Sequence, residues 1–169
     1  QRAYQNCKIS GYTIPDGFRD ALAYIKQAAA KTNGELELIT ESISNAIEKA
    51  SLEVLQGQWN EHFPVDVFQT GSGTSWNMNM NEVLANRASE ILGGKRGEKS
   101  PVHPNDHVNK GQSSNDVIPS AIQIACRIQI DPLLDALKAL AKRFTEKAAD
   151  FSDVPKLGRT HMQDAVPMT

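Results

Sequence analysis

Apolar residues recur at three- and four-residue intervals along most of this chain, and the intervals break at glycine and proline. A helix is expected from Ile14-Pro15-Asp16-Gly17-Phe18 to about Lys31, with Ala21, Leu22, Ile25 and Ala28 on one face. Asn33-Gly34 closes it. A second helix is expected over residues 36–56, with Leu38, Ile39, Ile43, Ala46, Ile47 and Ala50 as its stripe and Gly57 as its stop. Residues 59–74 have turn and extended character, with a short extended segment at 63–68. A third helix is predicted from Trp76 or Asn77 to Leu92, closed by Gly93-Gly94. Its Met80, Val83, Leu84, Ala88, Ile91 and Leu92 face a core.

Residues 95–110 read as loop. The longest pattern then runs over residues 115–150, apolar from Ile118, Ala121, Ile122 and Ala125 through Ile128 to Leu133, Leu137, Leu140 and Phe144. Pro119 fits a first turn, whereas Pro132 is expected to kink or divide the helix near Asp131. Roughly 35 helical residues would span about 50 Å, a length typical of a long bundle. The fold class is therefore mostly α, with a boundary near Gly111. Residues 1–111 form one domain, and residues 112–169 begin a helical bundle that they do not complete.

Composition narrows the function. The chain has 169 residues, is 40% hydrophobic and 6% aromatic, and carries 18 Lys plus Arg against 20 Asp plus Glu, for a net charge of −2. No long basic stretch is present to bind nucleic acid. The apolar runs are too short to span a bilayer. Cys7 and Cys126 lack a metal-type spacing and read as two unpaired, buried thiols, which fits a reducing compartment. Gln1 is not an initiator, and Thr169 follows directly on a polar motif, so the chain reads as part of a longer one.

Three polar clusters carry the chemistry. Gly71-Ser72-Gly73-Thr74-Ser75 leads into a helix, where freed backbone N–H groups and the helix's positive end suit an anion. A loop that merely caps the helix has the same composition. The Gly-Lys-Ser/Thr ending of a nucleotide-phosphate loop is absent. Asn77, Asn79 and Asn81 follow inside a helical pattern that asparagine disfavours. Asn77 and Asn81 share a face, suited either to bonding neighbouring loops or to touching a ligand.

In the second cluster His103 and His107 are four apart around Pro104, Asn105 and Asp106. Pro104 argues against a regular helix, and Asp106 is the one carboxylate close by. An anion-binding turn or a surface loop therefore fits better than a metal site. Gln112-Ser113-Ser114-Asn115-Asp116 precedes the long helix, where Ser114, Asn115 or Asp116 would cap it and a bound carboxylate could share the same helix start. In the third cluster, Gly158-Arg159-Thr160-His161, a histidine can exchange protons near neutral pH.

Together and in this order, these clusters resemble the fumarase/aspartase superfamily, most closely its class II fumarate hydratase branch. Residues 71–82 resemble the first signature, 103–116 the second, and 158–169 the segment holding the catalytic histidine. The resemblance implies a mostly helical lyase with an N-terminal domain and a central bundle of long helices, forming a homotetramer whose sites each draw on three subunits. It also implies a small dicarboxylate substrate, fumarate or L-malate, and no metal or organic cofactor. By position, Ser72, Gly73 and Thr74 would bind carboxylate oxygens, as would Ser113, Ser114 and Asn115 from a second subunit's polypeptide and Thr160 from another. His161 would be catalytic, acting on the water. His103, Pro104, Asn105 and Asp106 resemble a secondary dicarboxylate site. The implied compartment is the cytoplasm, or the mitochondrial matrix in a eukaryote.

Departures from the pattern are also legible. The third signature, a Gly-Ser-Ser…Met-Pro…Lys…Asn loop that supplies a serine base, does not occur, so the chain resembles the first third of a subunit and is expected to be inactive alone. Trp76 replaces a usually small residue, and Ser100 stands where a secondary-site arginine is common. Aspartate ammonia-lyase is the nearest rival reading, but His103 and His161 occupy positions where aspartases usually carry Asn and Gln. Argininosuccinate and adenylosuccinate lyases match less well. A non-catalytic helical assembly module is the alternative of a different class.

Overall fold

The computed structural model describes residues 2–169. Among these described residues five α-helices, α1 (Arg2–Asn6), α2 (Asp16–Glu35), α3 (Glu41–Leu55), α4 (Thr74–Ile91) and α5 (Ser114–Asp150), are followed by strands β1 (Lys156–Thr160) and β2 (Gln163–Met168). A 3₁₀ turn spans Asn60–His62 and a single π-helical turn spans Pro104–Val108. The chain is mostly α, as its periodicity requires. Contacts divide it into two compact units, Gln1–Ile128 and Gln129–Thr169.

In the first unit α2 packs on α3 and α3 on α4. Leu22, Ile47, Val54, Met80 and Leu84 are fully buried between them. Such burial contributes roughly 1.5–3 kcal/mol for each large side chain. The expected stripe on α2 is rotated: Ala28 is exposed, whereas Arg19, Lys26 and Asn33 are buried beside Leu22, Ala23 and Ala30. α3 starts five residues later than expected. The Leu38 and Ile39 amides bond back to Asn33, Glu37 takes a positive φ of 57°, and the Thr40 hydroxyl accepts the Ile43 N–H. Leu38 is consequently exposed.

Two carboxylates tie the loops to this core. Glu53 on α3 accepts from both Arg87 Nε and Nη2 on α4 and from Trp59 Nε1 at 3.0 Å. The Arg87 hydrogen bonds hold its carboxyl below the usual range despite partial burial. Asp66 is buried in the segment at 63–68, which is irregular and not a strand. Its carboxylate accepts the N–H groups of Ser10 at 2.8 Å, Gly11 at 2.9 Å and Phe68 at 2.9 Å, and the Ser10 hydroxyl at 2.9 Å. Burial alone would raise its pKa, but these donors reverse the effect and hold it well below the carboxylate norm.

α5 is not divided at Pro132. The proline removes one N–H and displaces the Ile128 carbonyl from its bond, but residues 126–134 are all exposed, so water can satisfy what is freed. Val117, Ile118, Ala121 and Ala125 bury the first turns of α5 in the first unit. Cys126 is exposed and Cys7 half-buried, and both are free thiols. Cys126 follows Ala125 by one residue and so points off the buried stripe.

The second unit contains the rest of α5 and an antiparallel hairpin that helical patterning did not predict. Lys156 pairs with Met168, Leu157 with Pro167, Arg159 with Asp164 and Thr160 with Gln163, with a register shift between Leu157 and Arg159. Among the described residues no helix is long and apolar enough to cross a membrane.

Candidate functional site

Two helix starts meet in the first unit. Gly73, at φ 90°, precedes α4, and its carbonyl accepts the Trp76 and Asn77 N–H groups at 3.0 and 3.2 Å. A Cβ at Gly73 would stand 2.9 Å from Ile118 Cδ1, so this glycine lets the start of α4 lie against the first turns of α5. Asn77 Nδ2 then donates to Ser114 Oγ at 2.8 Å. The Ser72–Thr74 loop and the Ser113–Asn115 start are thereby brought together within one chain, where the resemblance had the latter come from a second subunit, although about forty residues separate them in sequence. Ser72, Thr74, Ser113 and Asn115 are exposed, and Gly73 and Ser114 are half-buried. Two positive helix ends with exposed hydroxyl and amide groups have the chemistry to favour an anion. A cleft of about 810 Å³ opens beside Thr74, lined also by Ser75, Met78, Asn79 and Tyr4.

The cap of α5 is Ser113, one residue ahead of the expected candidates. Its Oγ accepts the Asn115 N–H at 3.2 Å, and its carbonyl takes the Asp116 and Val117 amides. Trp76 is accommodated by packing: its ring lies 5.3 Å from that of Phe18, and its Nε1 donates to the Val65 carbonyl at 3.1 Å.

Beneath the two helix starts lies a buried polar cluster. Asn77 and Asn81 are fully buried and donate to Asn109 Oδ1 at 3.4 and 3.2 Å. The same oxygen accepts from Lys26 Nζ at 2.9 Å, and Gln112 Oε1 accepts from Lys26 at 2.8 Å. Lys26 is fully buried, and burial brings its pKa down to about 7, with no charged group contributing. The Oδ1 atoms of Asn77 and Asn81 have no hydrogen-bond partner among the described residues. Asn79 instead donates to the His62 carbonyl at 3.0 Å. Loops and the start of α5 thus take the amide N–H groups of all three asparagines of α4, while none of their Oδ1 atoms has a partner among the described residues. Sequence reasoning missed Lys26, Asn109 and the Gln112 side chain. The available signal was a lysine on the same helical face as Leu22 and Ala30.

His103, Pro104, Asn105 and Asp106 sit together at the π-helical turn. Pro104 did not prevent a helical turn, because at its first position the missing N–H has no helical partner to lose. His103 Nδ1 accepts the N–H groups of Asn105 at 3.3 Å and Asp106 at 3.2 Å, and the His103 N–H donates to His107 Nδ1 at 2.8 Å. Both Nδ1 atoms are therefore the proton-free nitrogens of their rings. The Asp106 carboxylate, 3.1 Å from His103 Nδ1, becomes an ion-pair partner only if that ring is protonated, which would break the cap. Burial lowers the His107 pKa, against the opposing pull of Asp106. Pro104 is buried, Asn105 and Asp106 are exposed, and Ser100 is exposed nearby in sequence. Among the described residues no group of three or more His, Cys, Asp or Glu side chains could hold a metal.

Thr160 and His161 belong to the second unit. Thr160 ends β1 opposite Gln163, and His161 begins the two-residue turn at φ 51°, a left-handed conformation that the tight hairpin demands. Both side chains are exposed.

The description of the matching family, Lyase, covers residues 1–169. The chain is 57% identical over its whole length to class II fumarate hydratase of Nitrosomonas europaea, and 53% identical to that of Myxococcus xanthus. It spans 37% and 36% of those relatives' lengths. Among solved structures, fumarate lyase:delta crystallin from Brucella melitensis superposes with a TM-score of 0.89 at 44% identity, over 99% of this chain and 39% of that one. Class II fumarase from Schistosoma mansoni gives 0.86 at 46% identity, over 99% and 36%. The chain belongs to the lyase family, with class II fumarate hydratases among its relatives.

Proposed function

We propose that this chain is the N-terminal part of a class II fumarate hydratase subunit, which adds water reversibly across fumarate to give L-malate. One observation carries this reading: the starts of α4 and α5 are joined through Asn77 and Ser114, with Ser72, Thr74, Ser113 and Asn115 exposed around them. In the malate-forming direction the oxygen of water bonds to one alkene carbon and a proton is delivered to the other. The step passes through an anion whose extra charge rests on a substrate carboxylate. Ser72, the Gly73 loop, Thr74 and the Ser113–Asn115 start stabilise that charge through preorganised donors. Thr160 adds a hydroxyl, and His161 orients the water and exchanges its proton. His103 to Asp106 form a secondary dicarboxylate site. The complete protein is a homotetramer working without a cofactor, in the cytoplasm or, in a eukaryote, the mitochondrial matrix. Its domains divide at 111/112, with α5 beginning the central bundle.

The test is turnover by a complete subunit carrying this segment, followed as fumarate formation from malate in the ultraviolet. Malate dehydration with little ammonia released from aspartate is expected. Robust aspartate deamination with malate ignored would overturn the reading in favour of an ammonia-lyase, and no turnover of either would favour an assembly module. Residues 1–169 alone are expected to give negligible turnover, since they include no serine-base loop.

A further inference from the structure

Among the described residues Lys26 is the one fully buried cation of the first unit's interior, and no anionic group among them contributes to its shift. Its neighbours in space come from three other elements: Asn77 and Asn81 from α4, Asn109 and Gln112 from the turn before α5, and through Asn77 the Ser114 hydroxyl of α5 itself. An ammonium bound only by amide oxygens is an expensive way to fill a core position. A methionine of similar shape would fill it without desolvating a charge. A lysine supplies three directed donors, of which two fix Asn109 and Gln112. Asn109 is then pinned from both sides, since its Nδ2 donates to the Gln112 carbonyl at 3.1 Å. Gln112 Nε2 donates in turn to the Val108 carbonyl at 2.9 Å. The backbone leading into Ser113 is thus held by one chain of hydrogen bonds that starts at Lys26.

From this we infer that Lys26 is a positioning residue for the dicarboxylate site. It sets the geometry of the 109–115 segment, and with it the donors at Ser113, Ser114 and Asn115, without touching substrate. The inference rests on the fumarate hydratase reading for its substrate, though not for its geometry. A lysine with a pKa near 7 adds a second signature: the hold weakens as pH rises through neutrality and the ammonium becomes an amine. Amide oxygens of Asn109 and Gln112 face Nζ, and no ionisable group from α4 or the turn contributes to its shift.

The test uses a complete subunit carrying this segment, unaltered and as Lys26→Met. Lys26→Met is expected to raise KM for malate about fivefold or more, by more than it lowers kcat, and to speed amide exchange at residues 113–116 by a similar factor. Exchange within α3 should stay unchanged. The unaltered enzyme should show KM rising above pH 7, and the variant should lose that rise. Asn109→Ala, at a half-buried position, should reproduce the KM effect, and the two substitutions together should cost less than the product of their separate effects. If Lys26→Met does not fold, Asn109→Ala and the pH profile of the unaltered enzyme decide the question. KM, pH profile and exchange all within twofold of the parent would overturn the inference, as would a lowered Tm with KM unmoved. If the parent turns over no malate while exchange at 113–116 still accelerates in Lys26→Met, the substrate reading fails and the positioning role stands.

Discussion

The starts of α4 and α5 and the Lys156–Met168 hairpin are made of similar material, with threonine, glycine and an amide in both and a histidine at the tip of the hairpin. They are held very differently. In the first unit the segments around these helix starts are fastened from below: Ser114 by Asn77, the 109–112 turn by Lys26, and the loop before Gly71 by Asp66. In the second unit, Thr160 and His161 are exposed and the strands pair only with each other. Leu133, Leu137, Leu140 and Phe144 of the same unit are 50–68% exposed in this chain. A polar group becomes a precise donor when buried partners leave it one orientation, and the first unit supplies such partners at the starts of α4 and α5.

The largest break in this contrast is chemical. In a complete subunit, His161→Asn is expected to keep the fold and lower turnover by roughly 10²–10⁴-fold, the range for losing a general acid–base group. Activity within a few-fold of the parent would make this exposed turn residue structural, and the contrast would then be between a site and a bystander.

Stability should follow the same divide. In residues 1–169, Leu84→Ala removes a fully buried side chain and is expected to cost about 2–5 kcal/mol in denaturant unfolding. Leu137→Ala, half exposed, should cost less than about 0.5 kcal/mol. Equal costs would mean that the second unit has a core of its own.

Thr74→Val tests a single donor at the anchored end. Losing one hydrogen bond to a charged group should reduce kcat/KM for malate by an amount equivalent to roughly 1.5–3 kcal/mol, with helix content unchanged. A loss confined to helix content would make Thr74 part of the α4 start and nothing more.

The smallest effect is acid sensitivity. The Asp66 carboxyl is depressed in the folded chain, so its contribution is complete above the unfolded carboxylate range near pH 4 and is lost as pH falls toward its lower folded value. Thermal unfolding scanned from pH 5 down to about pH 2 should show a falling midpoint. In Asp66→Asn the midpoint should start lower and fall less. An unchanged slope would assign the acid response to other groups, Glu53 first among them.

The helices were legible because their apolar spacing and their glycine stops are local properties. The three clusters were legible because small polar residues concentrated between apolar stripes have few reasons to be there. What local pattern could not supply was the partner of each group. Lys26 carries no mark of its own in the sequence, since nothing near it there reveals that Asn109 and Gln112 come to meet it. The proline at 132 read as a division because its cost is local, whereas the exposure that relieves it depends on packing elsewhere. The hairpin was hidden by its brevity and by its tight turn through His161.

Gly73 has a consequence for how such sequences can vary. Any side chain there meets two separate objections, the 2.9 Å approach to Ile118 and a backbone at φ 90°. Trimming Ile118 to alanine would lift the first and leave the second untouched. No single compensating change opens the position, so drift in the Gly71–Ser75 loop must pass around this residue.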